Sequence, residues 1–362
     1  MKKLRVATMV TGHFTTPPPE GIIYAPMDIA VGVGEGLAKK GHRVDFYGPE
    51  GTKVNVTNVI SAGLRPLKQN GDDSILKDPS VGGGEVNKIF NLWDQYLLAR
   101  MFEKAERGDY DILHVHPVDR ALPLALSHPK IPVVYTLHDP IYPWRTEIFR
   151  MFQSPNQHYV SISDAQRKPA PDLNYAATVY NGINLDLFPF SDSHDDYFLF
   201  VGRLLAVKGV AEAIQAARLA GEKLLIVGSP DSGEYWEKSI KPFLDDKIRY
   251  AGYVPYGDLY KYYQKAKATL VPIQWEEPFG LVMTEAMACG TPVIAFKRGS
   301  APEVVEHGQT GFIAETVEEM AAAMKEIGKI SRAACRKRVE ENFSLERMVD
   351  GYEKVFLELA AK

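Results

Sequence analysis

The sequence predicts an α/β protein built of two doubly wound halves. Short apolar, β-prone runs alternate with helical patterns along its 362 residues, which indicates βαβ units and parallel sheets. This length suits two domains of about 150–190 residues each better than one. Midway, the polar segment 191–196 follows Phe188-Pro189, as expected of an interdomain linker.

The first half opens with an apolar run, residues 4–11, typical of a strand that is buried on both faces of a parallel sheet. A helical pattern then runs over 27–40 and ends at Gly41. Further strands are predicted at 43–48, 112–115, 133–137, 159–162 and 178–180, with a helix over 86–106. The first half therefore predicts one parallel sheet with helical crossovers.

The second half repeats the same alternation. Strands are predicted at 198–201, 224–227, 269–272 and 293–296, each followed by a helical stretch. The chain closes with a strongly amphipathic helix over 345–361. A second sheet of the same kind is expected.

Composition excludes several classes of protein. The formal net charge is −4 and no basic cluster is present, so a nucleic-acid partner is not expected. Two cysteines, Cys289 and Cys335, give no disulfide framework, and Cys289 is predicted to be a small core residue. No run of 18 apolar residues occurs, and the opening M-K-K-L-R-V-A-T-M-V-T is too short for a signal peptide. These features predict a cytoplasmic protein without a transmembrane segment.

The most informative motif is E-P-F-G-L-V-M-T-E at 277–285. Pro278 and Gly280 mark a helix start, which places Glu277 just before the helix and Glu285 more than a turn inside it. The free amides of a helix start can hold a phosphate, and carboxylates on either side can accept hydrogen bonds from sugar hydroxyls. The motif therefore predicts a nucleotide-sugar site.

Together with A-M-A-C-G-T-P-V-I-A at 286–295 and E-V-V-E-H-G-Q-T-G-F at 303–312, this motif resembles the signature of glycosyltransferase family 4, whose members are retaining enzymes of GT-B fold. Further matches, in the family's order, are V-G-R-L at 201–204 with V-K-G at 207–209, V-Y-N-G-I-N at 179–184 and S-I-S-D-A-Q at 161–166. The resemblance implies an acceptor-binding domain at 1–190, a donor-binding domain at 191–344 and a final helix, 345–362, that crosses back onto the first domain.

Two cations are expected to carry the chemistry of the donor half. Arg203 follows a buried strand and Lys208 lies five residues on, so both should sit at the carboxyl edge of the sheet. Fixed cations there would stabilise a departing diphosphate more in the transition state than in the ground state. Taken alone, the same residues would be read as solvated surface cations beside a helix start.

The resemblance assigns roles to the other donor-side residues. Glu277 should contact the sugar ring, although a helix cap is the alternative, and Glu285 should accept hydrogen bonds from the ribose, although an exposed helix position is the alternative. The remaining donor-binding residues implied are Gly202, Val254, Phe279, Gly280, Leu281 and Val282.

On the acceptor side, His138 follows a buried strand in T-L-H-D-P and matches a family histidine that contacts the donor sugar. A histidine satisfied by its own turn is the alternative. Asp139 and Tyr142 could shape an acceptor pocket, but ordinary loop packing explains them equally well. The loop 12–28 contributes His13, and where the family often places a Gly-Gly pair next to the diphosphate this chain has only Gly21.

Three other patterns suggest sites of a different kind. His114 and His116 are two apart on a strand and could ligate a metal, although no carboxylate or cysteine cluster joins them. Asp109 and Asp111 resemble a metal-binding D-x-D, but they precede a strand and are better explained as a turn. The glycines of G-V-G-E-G at 32–36 lie within a helical pattern, so an NAD site is not expected.

The sequence thus predicts a retaining hexosyltransferase that uses a nucleotide-diphosphate sugar and needs no essential metal or other cofactor. Its acceptor would be a small molecule, a glycan or a lipid-linked hydroxyl. A nucleotide-sugar 2-epimerase of the same fold is the alternative enzyme. A non-catalytic nucleotide-sugar binding protein is the alternative from another class, and it would not need Arg203, Lys208 and Glu277 together.

Overall fold

A computed structural model describes residues 2–19, 22, 24–67, 75–78, 80–230 and 233–361. The chain divides into two compact units. The first consists of Met1–Ile162, Arg167–Val179 and Met348–Lys362, and the second of Ser163–Gln166 and Tyr180–Arg347.

The first unit is built on a parallel sheet of β1 (Arg5–Met9), β2 (Arg43–Tyr47), β3 (Asn58–Ile60), β4 (Ile112–Val115), β5 (Val133–Thr136), β6 (Gln157–Ser161) and β7 (Tyr175–Thr178). The strand order is β3-β2-β1-β4-β5-β6-β7. Its crossovers contain α1 (Ala25–Lys39), α2 (Gly83–Glu106), α3 (Val118–Ser127) and α4 (Pro143–Phe152). The short α5 (Asp164–Arg167) follows β6, and all but its last residue belong to the second unit. All four residues of β4 and of β5 are buried, as expected of central strands covered on both faces.

The second unit is built on a parallel sheet of β8 (Phe198–Val201), β9 (Leu224–Val227), β10 (Ile248–Gly252), β11 (Thr269–Val271), β12 (Val293–Phe296) and β13 (Gly311–Ala314). The strand order is β10-β9-β8-β11-β12-β13. The helices are α6 (Val210–Ala220), α7 (Leu259–Lys265), α8 (Leu281–Ala288), α9 (Ala301–Val304), α10 (Val317–Glu326) and α11 (Arg332–Asn342). Two doubly wound parallel sheets confirm the predicted fold class.

The last helix, α12 (Leu345–Leu359), packs with the first unit from Met348 onward. A Cβ at Gly36 would lie 2.4 Å from a methyl carbon of Val349, so glycine is needed where α1 and α12 meet. Gly36 is the last glycine of G-V-G-E-G, which lies inside α1. The motif therefore lies within a helix, as its pattern predicts, and Gly36 serves helix packing at this position.

The predicted strand over 178–180 is wrong, because β7 ends at Thr178. Three strands were missed, namely β3, β10 and β13. β3 has three residues and is largely exposed, while β10 alternates buried and exposed positions, so neither contains an apolar run. Short edge strands of this kind give little signal in the sequence.

The change of unit also comes earlier than the predicted linker. The long continuous part of the second unit begins at Tyr180 and contains the polar segment 191–196. Both backbone polar groups of Ser191 are bound to that unit. Its N–H donates to the Cys289 carbonyl at 3.0 Å, and its carbonyl accepts from Arg332 at 2.8 Å. A polar stretch that forms such bonds is part of a folded unit although its composition resembles a linker.

Candidate active site

Lys208 is held at the carboxyl edge of the second sheet by a tight turn. After β8 the chain forms a 3₁₀ turn, Ala206–Lys208, and then enters α6 through Gly209. Gly209 has a left-handed φ of 79°, and a Cβ there would lie 1.8 Å from the carbonyl oxygen of Pro272, just beyond β11. The V-K-G motif therefore needs its glycine to bring Lys208 against the neighbouring strand end.

The Lys208 ammonium forms an ion pair with Glu277. Its Nζ lies 2.6 Å from Glu277 Oε2, and the side chains are 22% and 14% exposed. The indole N–H of Trp275 donates to the same oxygen at 3.0 Å, and the ammonium lies 5.0 Å from the centre of the indole ring. Among the described residues, Glu277 Oε1 has no hydrogen-bond partner. One carboxylate oxygen is thus fixed by two donors while the other is left to accept.

The helix start after Glu277 has the backbone that the motif predicts. Gly280 adopts a left-handed φ of 80° and directly precedes α8. Ser300 fixes the loop, since its N–H donates to the Glu277 carbonyl at 3.0 Å and its hydroxyl to the Phe279 carbonyl at 2.6 Å. Within the described part of the chain, the amides of residues 279–282 donate to no acceptor. Such a row of amides can bind an anion.

Glu285 lies inside α8 and is only 3% exposed. The Tyr263 hydroxyl donates to Glu285 Oε2 at 2.8 Å. Burial, reinforced by this carboxylate, raises the pKa of Tyr263 well above its ordinary value, so the phenol stays a donor. The desolvation of Glu285 is therefore offset in part by a tyrosine that the motif does not include.

The other predicted donor-side residues line the same edge of the second sheet. The Arg203 side chain is exposed and makes no ion pair or hydrogen bond with a described residue. Gly202 continues β8, and its N–H donates to the Val227 carbonyl at 3.1 Å. Val254 follows β10 and is buried, next to Tyr253, whose side chain is 51% exposed.

In the first unit, His138 follows β5 and contacts a second histidine. His138 Nε2 lies 2.7 Å from His116 Nδ1, and the two rings are nearly parallel. His114 lies next to them and is bound to Thr136 at 2.8 Å. Burial lowers the pKa of His138 to about 4 and that of His114 to about 3, so the imidazoles are neutral at ordinary pH.

The loop after β1 is organised by a buried aspartate that the sequence analysis did not single out. Asp94 of α2 is fully buried and accepts from the Gly12 amide at 2.6 Å. His13 Nδ1 lies 2.7 Å from the Thr11 hydroxyl and 3.5 Å from Asp94, and Arg120 pairs with the same carboxylate at 3.1 Å. His13 is therefore held in one orientation. Gly21, with Glu20 and Ile23 of the same loop, lies outside the described residues.

Asp139 and Tyr142 lie on the segment between β5 and α4. Asp139 pairs with Arg145 at 3.1 Å, and Arg145 also pairs with Asp119 at 3.3 Å. Tyr142 immediately precedes α4 and is 46% exposed. Asp139 thus takes part in a loop-to-helix ion pair, and Tyr142 presents an exposed ring.

The residues weighed as metal ligands have other contacts. Asp111 forms a two-point ion pair with Arg5, which lowers the pKa of its carboxyl below the usual value. His114 lies on β4 and His116 directly follows it, and their ring centres are 4.4 Å apart. Among the residues that the structure describes, no three His, Cys, Asp or Glu side chains converge as metal ligands do.

Two of the matched motifs meet within the second unit. The carboxylate of Glu303 accepts from the amides of Asp164 and Ala165 at 2.8 and 2.7 Å, and from the Tyr180 hydroxyl at 3.1 Å. These contacts join the E-V-V-E and S-I-S-D-A-Q motifs. The glutamate thus fixes backbone segments of its own unit.

Four contact residues were missed by the sequence analysis as members of the site. Trp275 and Tyr263 hold the two motif glutamates, Asp94 holds His13, and His116 holds His138. Only His116 had a signal, its position two residues from His114 on a strand. Trp275 is a local contact two residues from Glu277, whereas Tyr263 and Asp94 come close through tertiary packing.

Comparison with known proteins agrees with this geometry. The family description "Glycosyltransferase Family 4" matches residues 30–187, and "Glycosyl transferases group 1" matches residues 188–342. A curated relative, the N-acetyl-alpha-D-glucosaminyl L-malate synthase of Bacillus anthracis, is 25% identical over 90% of this chain and 92% of its own length.

Solved structures share the whole fold. Sucrose-phosphate synthase from Thermosynechococcus elongatus superposes with a TM-score of 0.71, at 20% identity over 99% of each chain. Anabaena HepE in complex with UDP-glucose superposes with a TM-score of 0.67, at 17% identity over 99% of this chain and 100% of that one. Among the described residues, no helix has the length and apolar character needed to cross a membrane. The chain belongs to glycosyltransferase family 4 and has the GT-B fold.

Proposed function

We propose that this glycosyltransferase moves a hexosyl group from a nucleotide-diphosphate sugar to an acceptor hydroxyl, with retention of the anomeric configuration. The acceptor would be a small molecule, a glycan or a lipid-linked hydroxyl. The bound UDP-glucose of HepE and the glucosaminyl product of the Bacillus anthracis relative support a donor of this class.

The observation that carries the proposal is the arrangement of Glu277. Trp275 and Lys208 both hold Oε2, which leaves Oε1 to accept from a hydroxyl of the donor sugar. The Lys208 ammonium has two further N–H groups for phosphate oxygens. A sugar and its diphosphate would thus be bound by adjacent groups of a single cluster.

The leaving diphosphate would be neutralised by Lys208, Arg203 and the amides of residues 279–282. Arginine offers a planar fork to phosphate oxygens, lysine a point charge, and the helix start a row of N–H donors. These groups supply the stabilisation of developing negative charge that a divalent ion supplies elsewhere. The proposed reaction therefore needs no essential metal.

Glu285 would accept hydrogen bonds from the ribose, and the base would lie near residues 252–254. On the first unit, His138 would contact the donor sugar, while His13, Asp139 and Tyr142 would contribute to the acceptor side. The reaction would proceed on the front face of the sugar, so that the departing phosphate oxygen takes the proton of the acceptor hydroxyl. Such a step requires no separate general base.

A thermal-shift panel of nucleotide diphosphates and their sugars tests donor binding. A ligand at about 100 times its dissociation constant adds roughly 2.7 kcal/mol, enough for a shift of a few degrees. Proton NMR of the product then tests the chemistry: an α-linked donor should give an α-linked product, at an undiminished rate in EDTA. A β product would refute retention, and activity lost in EDTA but restored by magnesium or manganese would refute metal independence. Conversion of the donor sugar without any acceptor would favour the 2-epimerase.

A further inference from the structure

A pair of hydrogen-bonded histidines in the first unit includes a buried ring nitrogen that has no partner among the described residues. His116 is 6% exposed and directly follows β4, and His138 follows the neighbouring β5. The single hydrogen bond between them joins His116 Nδ1 to His138 Nε2 at 2.7 Å. His116 Nε2 is buried and has no hydrogen-bond partner among the described residues.

Two arrangements of protons fit this bond, because each neutral imidazole carries one N–H. In the first, His116 donates from Nδ1, its Nε2 is a bare lone pair, and the His138 proton is on Nδ1. In the second, His138 donates from Nε2, and the His116 proton is on its own buried Nε2, where it has no acceptor. Buried N–H groups without partners are rarer than buried acceptors without partners, so the first arrangement is favoured.

Both rings are neutral, so each carries a single N–H. Burial is the main cause that lowers the pKa of His138, and it also lowers that of His116 well below its ordinary value. The charged groups that act on His138 are Asp139, which raises its pKa, and Arg145, which lowers it. His114 acts on His116 in the lowering direction.

We propose that His116 is a positioning residue that donates its Nδ1–H to His138 and thereby places the His138 proton on Nδ1. His138 Nδ1 has no described partner, so this N–H is left to donate to an oxygen of the donor sugar. The sugar contact rests on the proposed function, whereas the tautomer of His138 does not. His138 would therefore act as a neutral hydrogen-bond donor with a fixed orientation.

The tautomer is measured directly by ¹⁵N NMR of the full chain with labelled histidine rings, near pH 7.5. The signals of the two residues are assigned from their loss in His116→Asn and His138→Asn. We expect the Nδ1–H tautomer for both rings in the unsubstituted protein. A His138 ring protonated on Nε2 would overturn the inference, whatever the protein is found to transfer.

Two matched variants test the consequence for the donor. The amide of asparagine takes the place of a histidine Nδ1, while that of glutamine takes the place of Nε2. His116→Asn should therefore keep the kcat/KM for the donor sugar within about threefold, and His116→Gln should lower it about tenfold, the value of one neutral hydrogen bond. His128→Gln is the control for the substitution itself, because His128 is half-buried and has no part in the proposed site.

Thermal unfolding of each variant shows whether a loss comes from folding. Equal kcat/KM in the asparagine and glutamine variants, at equal stability, would overturn the positioning role. If the protein transfers no sugar while both rings show the Nδ1–H tautomer, the proposed function fails and the tautomer assignment stands.

Discussion

Replacing Lys208 with alanine removes a cation from the proposed diphosphate site and leaves the rest of the turn unchanged. The Lys208 backbone belongs to the 3₁₀ turn that Gly209 fixes against Pro272, and its side chain only reaches out to Glu277 and Trp275. The substitution should therefore act on charge and not on the path of the chain.

Two magnitudes can be compared. The ion pair with Glu277 is 2.6 Å long and its side chains are 22% and 14% exposed, so it lies between a surface pair and a buried one. Its loss should cost about 1–2 kcal/mol of unfolding free energy. Loss of a fixed charge beside a developing anion should lower kcat by ~10²–10³. Since a domain has roughly 5–15 kcal/mol of stability, Lys208→Ala should remain folded while its turnover collapses.

The assay is initial-rate transfer with saturating donor, together with a denaturant midpoint for each variant. Arg203→Ala should behave alike, with a smaller effect on stability, because Arg203 is exposed and makes no described ion pair. Lys223→Ala is the matched control: its pair with Asp196 is 3.0 Å long and its side chains are 51% and 63% exposed, so turnover should hardly change. Near-normal kcat in Lys208→Ala would remove this lysine from the active site.

Three further outcomes are expected. Glu285→Ala should weaken binding of the free nucleotide diphosphate by about 1–3 kcal/mol in calorimetry. Glu277→Ala should leave that affinity unchanged and lower turnover, and the reverse pattern would mean that the two roles are exchanged. Gly209→Ala should lower the denaturant midpoint far more than Gly221→Ala, because both have a left-handed φ but a Cβ at Gly221 meets nothing within 4 Å; equal losses would contradict the contact with Pro272. The free energy of unfolding should fall as the pH falls from about 6.5 towards 4. In that range His138 binds a proton in the unfolded chain but not in the folded protein, where its pKa is lowered to about 4. A flat pH profile would show that this imidazole is not held neutral.

The sequence predicted the central strands well because their signal is physical and local. β4, β8, β9 and β12 were placed to the residue, and each is an apolar run buried on both faces of a sheet. Edge strands escape this rule because one side of the strand has no neighbour and one face is wet. The predicted linker is a related case: composition registers the polarity of residues 191–196 but not the two bonds that bind Ser191 to the second unit.

In the candidate site, too, the local features were predictable from the sequence and the long-range contacts were not. Turn and helix-start geometry follows from local chemistry, and Gly280 adopts the left-handed conformation that its position in the motif suggests. The partners of the motif residues do not follow, because Tyr263 is 22 residues from Glu285 and Asp94 is 81 residues from His13. Contacts at such separations depend on the strand order of each sheet, which the motifs do not encode.

The contacts of Glu277 bear on how the proposed donor site would respond when it is filled. Lys208 is neutralised by Glu277 in the free protein, and in the proposed reaction its ammonium must also serve the diphosphate. If Lys208 alone oriented the carboxylate, turning toward phosphate would release Glu277. The Trp275 indole N–H binds the same oxygen at 3.0 Å and carries no charge to be drawn toward the diphosphate. The tryptophan can therefore keep Oε1 aimed at the sugar while the lysine is shared, and orientation and charge neutralisation are assigned to different side chains.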